Sequence, residues 1–189
     1  MTDDVAFVRR VGVVAAFAGV SFALTLIIRI PIPATDGYFN IGDSVVMFAG
    51  LLFGPWIGFL VGACGPTLAD AIGFPQFIFA TAVVKGLEGL VVGLVYSTGS
   101  RSSESKTILA LGTGIIVLVG GYFVFEALIY PWLGRYIPLF EVTDFTAAIV
   151  EILPNTLQGI VSAAIAFGAW KVSRRALGDQ SDKIAVAPD

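Results

Sequence analysis

The chain has 189 residues, 57% of them hydrophobic and only 13% charged, with a formal net charge of −3. That balance lies outside the range of a soluble domain and points to one polytopic membrane domain. The absence of His excludes His-built metal sites and Ser-His nucleophiles, and a single Cys, Cys64, excludes a disulfide within the chain.

Val11 to Ile28 carries no charge and reads as the first crossing, preceded by Arg9 and Arg10. It is too long for a signal peptide, and no A-x-A-like cleavage site follows it. Pro31 and Pro33 stop the helix, and Pro31 to Gly42 reads as a polar and aromatic loop. Asp43 is placed to cap the next helix. From Ser44 to Ala69 there are 26 residues without a charge. Gly54-Pro55 divides them into a short second crossing, 43–53, and a third, 55–70. The short one needs tilt or shielding by its neighbours. Gly50, Gly54, Gly58 and Gly62 recur every four residues, a stripe that lets helices approach closely in lipid. Cys64 on this crossing reads as a small buried residue.

Asp70 to Pro75 reads as a connection and Gln76 to Thr98 as crossing four. Gly99 to Lys106 is a polar loop, Thr107 to Tyr130 crossing five, and Gly134 to Asp144 a second polar connection. Thr143 or Asp144 can cap crossing six, which runs to about Lys171. The expected fold is therefore all-α, with six transmembrane helices forming a single membrane domain over 1–175. Residues 176–189 read as a disordered cytoplasmic tail. Six crossings place both termini on one side. That side holds eight Lys and Arg against Arg29 and Arg135 on the other, so the termini are expected to be cytoplasmic.

Lys85 and Glu88 sit within an apolar run and share a narrow helical sector with Thr81. Charges there normally face a protein interior or a cavity. Crossing six answers with Glu151, Asn155, Gln158 and Ser162 at steps of four, three and four. At about 1.5 Å per residue the two stripes overlap in depth, between the outer surface and the midplane. Tyr122, Glu126 and Tyr130 on crossing five lie nearer that surface. Two readings stand for these residues. One is a cavity for a neutral or zwitterionic polar solute. The other is a structural network in which Lys85 pairs with Glu88 or Glu151. The 31–42 loop could close such a cavity, with Tyr38 and Phe39 stacking on a flat ring and Asn40 bonding to its edge. Alternatively Asn40 and Asp43 only cap the second helix.

Ala15, Gly19 and Ala23 form a small-residue face on crossing one, fit for a neighbouring helix of this chain or for another subunit. No P-loop signature is present, so uphill transport would draw its energy from elsewhere. Nothing calls for a cofactor, a metal or nucleic acid. A membrane hydrolase using Glu88 and Glu151, and a structural or assembly subunit without a ligand, are the alternative functions.

The stretches GYFNIGDSVVMFAGLLFGPWIG, ADAIGF, ATAVVKGLEGL and LPNTLQG resemble the S components of energy-coupling factor (ECF) transporters of prokaryotes. The resemblance spans about residues 11–171. It implies a six-helix subunit in the cell membrane that captures a vitamin or vitamin precursor. It implies a pocket built from the first external loop and helices four to six, and hence Lys85, Glu88, Glu151, Asn155, Gln158, Tyr38 and Asn40 as substrate-binding residues. It also implies a membrane coupling subunit and two ATPase subunits as partners, docked on Ala15, Gly19 and Ala23. The family's substrates include riboflavin, thiamine, pyrimidine precursors, biotin and pantothenate. No local pattern chooses among them, and a flat heteroaromatic compound is favoured.

Overall fold

The computed structural model describes residues 2–33, 35, 37–98, 103–140 and 143–177. Six helices carry the architecture: α1 (Thr2–Ile27), α2 (Asp43–Phe53), α3 (Pro55–Gly73), α4 (Ile78–Ser97), α5 (Glu104–Val124) and α6 (Phe145–Leu177). Among the described residues, five helical stretches are long and apolar enough to cross a membrane, and α2 is a shorter apolar helix. The chain is a membrane protein with the all-α fold expected. Its lipid-facing perimeter is studded with exposed side chains such as Phe79, Ile116, Leu153 and Leu157. Within the apolar spans, polar side chains such as Thr25, Lys85, Glu88, Gln158 and Ser162 turn inward.

At 11 residues, α2 spans roughly 16 Å, too little to cross a bilayer alone. Shielding solves this. The helix packs among α1, α3, α4 and α6, and Val46, Met47 and Ala49 are fully buried. Gly54 turns the chain into α3 with φ at 88°, a value that strains any residue with a Cβ, and Pro55 opens α3 at its first turn.

The glycine stripe holds α3 against α4. A Cβ on Gly58 would stand 2.5 Å from the Gly89 carbonyl oxygen, and one on Gly62 would run into the Lys85 carbonyl. The two backbones are therefore in direct contact, and this fixes how far Lys85 stands from the centre of the bundle. Gly89→Ala is expected to cost about 1–3 kcal/mol, because the clash is with backbone that cannot yield. A lowered melting temperature in detergent measures it.

Several boundaries differ from the sequence reading. α1 begins at Thr2 and runs through Arg9 and Arg10 as an exposed, continuous helix. α3 continues to Gly73, so Asp70 lies within its last turn and not in a connection. α5 passes through a π turn at Phe125–Ile129 into a last helical turn, Tyr130–Gly134. α6 extends six residues past Lys171, to Leu177. Most of the proposed tail, 178–189, lies outside the described residues. Asp144 caps α6, its Oδ1 accepting from the Ala147 amide at 2.8 Å. Cys64 is exposed, not buried: it faces outward from α3.

The loop after α1 is not irregular. Ile30–Ile32 (β1) and Gly37–Phe39 (β2) form an antiparallel ribbon with Pro31 opposite Tyr38. It straps across the end of the bundle away from the termini.

Candidate functional site

Beneath the strap the interior is polar, in two tiers. The lower tier is built on Asp43. Its Oδ2 accepts from Lys85 Nζ at 2.6 Å and from Gln158 Nε2 at 2.7 Å. Gln158 Oε1 in turn accepts from the backbone amide of Asn40 at 2.8 Å and from its side chain at 3.3 Å. Asn40 Oδ1 accepts from the Gly42 amide at 2.9 Å, and Ser21 Oγ donates to the Gly42 carbonyl at 3.1 Å. One chain of bonds thus ties α4, α2, α6, the strap and α1 together. Lys85 lies beneath the Tyr122 ring, 5.2 Å from its centroid.

Asp43 is therefore not a helix cap. No side chain caps α2, and the Asp43 carboxylate points into the core as the counter-ion of Lys85. The partner expected for Lys85, Glu88 or Glu151, is replaced by an acid at the start of α2. The reason is positional: α2 is wedged between α4 and α6, so its first residue meets both polar stripes.

The upper tier is the underside of the strap. Thr35 Oγ1 donates to Glu151, and the Tyr38 hydroxyl donates to Asp70. Burial, with Asp70 close by, pushes the Tyr38 phenol above its ordinary range, so it remains a proton donor to that carboxylate. The Arg29 guanidinium stands 4.7 Å from the Tyr38 ring centroid and 4.9 Å from that of Phe74. Its Nη2 donates to the Ala69 carbonyl at 3.0 Å. Arg29, Tyr38, Phe74 and Asp70 together latch the strap to the end of α3.

Between the tiers lies a cavity of about 30 Å3. Tyr38 and Asn40 from the strap, and Glu151, Asn155 and Gln158 from α6, border it. The structure thus brings five of the seven expected binding residues to one place. Lys85 and Glu88 are not on its wall. Lys85 is turned aside by its bond to Asp43. Glu88 lies one turn further along α4, fully buried, with no hydrogen-bond partner for either oxygen among the described residues.

The wall also carries Asp70, Phe77, Thr81, Tyr122 and Glu126. Asp70 stands at the edge of a long apolar run, where the turn signals after it hid its place in α3. Glu126 owes its inward aim to the π turn, which inserts an extra residue into the helical register. The loosened Glu126 carbonyl accepts from Thr143 Oγ1 at 3.1 Å. Thr35 carries no signal in the sequence.

A larger concavity lies elsewhere. It is an apolar groove of about 1030 Å3 between α1 and α3, bordered by Ala15, Gly19, Trp56 and Cys64, with Arg9 and Arg10 at one end. Ala15 and Gly19 are exposed, and a Cβ on Gly19 would touch nothing. Ala23 does not border the groove. The face of α1 that packs into the bundle is instead Ala18, Ser21 and Thr25.

The sequence matches the ECF-type riboflavin transporter S component family over residues 6–172. The chain belongs to this family. S components are the substrate-binding membrane subunits of vitamin and vitamin-precursor transporters, not enzymes, and this chain is one of them. It is 42% identical over 135 residues to an uncharacterised protein of Pyrococcus woesei, covering 71% of this chain and 86% of that one. It is 27% identical over 127 residues to the thiamine precursor transporter HmpT of Lactococcus lactis, covering 66% of this chain and 71% of the relative. The fold matches the S component of a bacterial ECF transporter with a TM-score of 0.65 at 18% identity, over 90% of this chain and 98% of the other. It matches the S component for biotin with a TM-score of 0.55 at 20% identity, over 90% and 95%.

Proposed function

We propose that this S component of a prokaryotic cell membrane captures a small vitamin-like solute under the strap, at the outer end of the bundle. It then passes the solute inward with an ATP-driven partner module. The observation that carries this reading is the cavity itself, a polar niche between strap and helices within an otherwise apolar bundle. Its orientation is the one the positive-inside rule favours, because Lys and Arg are concentrated in the stretches of sequence expected on the side of the termini.

Asn155 and Gln158 offer amide edges, and Tyr38 and Tyr122 offer ring faces, a set suited to a flat polar solute. Lys85 serves from beneath. Lys85 holds Asp43, Asp43 holds Gln158, and Gln158 presents its amide to the cavity and to Asn40. A cavity of about 30 Å3 accommodates only a water or two. Pockets for small molecules run to about 300–1,000 Å3, so capture requires the strap to lift and settle again over the solute.

Native mass spectrometry of the protein extracted in mild detergent tests the reading. A bound small molecule is expected. A bare chain under every extraction condition, with the fold intact, would contradict it.

The partner module docks along the groove of α1 and α3, where small residues leave room for another helix to approach. Gly19→Leu fills that space without touching the interior. The expected result is loss of co-purification with the coupling subunit and of uptake, with solute binding unchanged.

A further inference from the structure

We infer that the captured solute is a cation carried on a flat ring; this rests on the capture reading above. The inference begins with the charge of the cavity wall. Asp70 comes from α3, Glu126 from the π turn after α5, and Glu151 from α6. Three separate elements thus bring carboxylates to one cavity of about 30 Å3, and among the described residues no Lys or Arg borders it.

The two cations nearby are already engaged. Lys85 is held by Asp43 at 2.6 Å. Arg29 lies behind the Tyr38 ring, over Phe74, and donates to the Ala69 carbonyl. Neither reaches the cavity wall.

The acids themselves are incompletely satisfied. Asp70 is 1% exposed and Glu126 4% exposed. Asp70 Oδ2 and Glu126 Oε2 are buried and receive no hydrogen bond among the described residues. Carboxylate oxygens in an apolar bundle are costly without a donor or a counter-charge. A solute that brings both a positive charge and N–H or polarised C–H groups supplies what these atoms lack.

The remaining wall has the matching shape. Tyr38, Phe77 and Tyr122 present aromatic surface to the same cavity, and ring faces attract cations as well as flat ring systems. An anion would meet three carboxylates and no basic group. A neutral ring would leave the acids as they are. The chemical class indicated is a nitrogen heterocycle with a permanent or readily acquired positive charge.

Binding measurements on the full chain in detergent, freed of any retained solute, decide this. Three probes separate the charge classes: thiamine as a cationic flat ring system, riboflavin as a neutral one, and biotin as an anion. Thiamine is expected to bind at least about ten-fold more tightly than either of the others. Glu126→Gln keeps the shape and removes one ionisable carboxyl group. It is expected to weaken thiamine by about ten-fold or more while leaving riboflavin within roughly three-fold. Glu151→Gln, on a different helix, is expected to do the same.

Tighter binding of riboflavin or biotin would overturn the charge assignment and leave solute capture standing. Unchanged or improved thiamine binding in both Gln variants would overturn it equally. If no probe binds and native mass spectrometry finds no solute, the capture reading falls with it.

Discussion

Lys85→Met is expected to lower the stability of the bundle by about 3–5 kcal/mol, the cost of leaving a buried carboxylate without its partner. In a domain of this size the melting temperature is expected to fall by roughly 6–20 °C. Asp43 is fully buried, and Lys85 is the one cation bonded to it among the described residues. Gln158 donates to the same oxygen but brings no charge. The sign is tested by pairing the change with Asp43→Asn, which removes the stranded charge and keeps an acceptor for Gln158. The double variant is expected to recover most of the lost stability. Solute binding should fall in the single variant and return only in part, because the network that aims Gln158 is weakened. A melting temperature unchanged by Lys85→Met would show that the pair at the base of the site is not what holds α2, α4 and α6 in register.

Tyr38→Phe is expected to speed solute release by roughly 10-fold to 100-fold. The lost bond is a phenol donating to a carboxylate, of a kind worth about 1.5–3 kcal/mol. It ties the strap to α3 through Asp70. Arg29→Ala attacks the same latch from the other side, removing a cation stacked on both Tyr38 and Phe74. Both variants leave the lower tier intact, so the melting temperature should move far less than with Lys85→Met. Stopped-flow dissociation of the retained solute reads the effect. Unaltered release in both variants would mean that the strap does not gate the cavity. Tyr38 stays protonated across the physiological range because burial raises its pKa, so the latch is not expected to loosen between neutral and mildly alkaline pH.

The helices were legible because lipid imposes a single rule on them: long apolar runs, broken by Pro and Gly. The short second helix, 43–53, matches Asp43–Phe53 for that reason. The stripe Glu151, Asn155, Gln158 was legible too, since polar residues at helical spacing stand out in an apolar chain. Asp43 and Asp70 were not. Each sits at the end of an uncharged run, where an acid also serves as a cap or begins a loop. Only packing shows that Asp43 faces Lys85 and that Asp70 faces Tyr38. Glu126 was noticed on a regular helix, whereas the π turn that aims it inward leaves no mark at helical spacing. The ribbon at 30–39 was hidden for another reason. Its three-residue strands are too short for an alternating pattern to show.

Hydrogen exchange across the chain, with and without the solute it retains, tests most directly that the cavity under the strap is where capture occurs. Slower exchange is predicted at residues 37–42 and in the turn of α6 around Asn155, with little change along α1. Protection confined to the apolar groove of α1 and α3, with the strap unaffected, would contradict it.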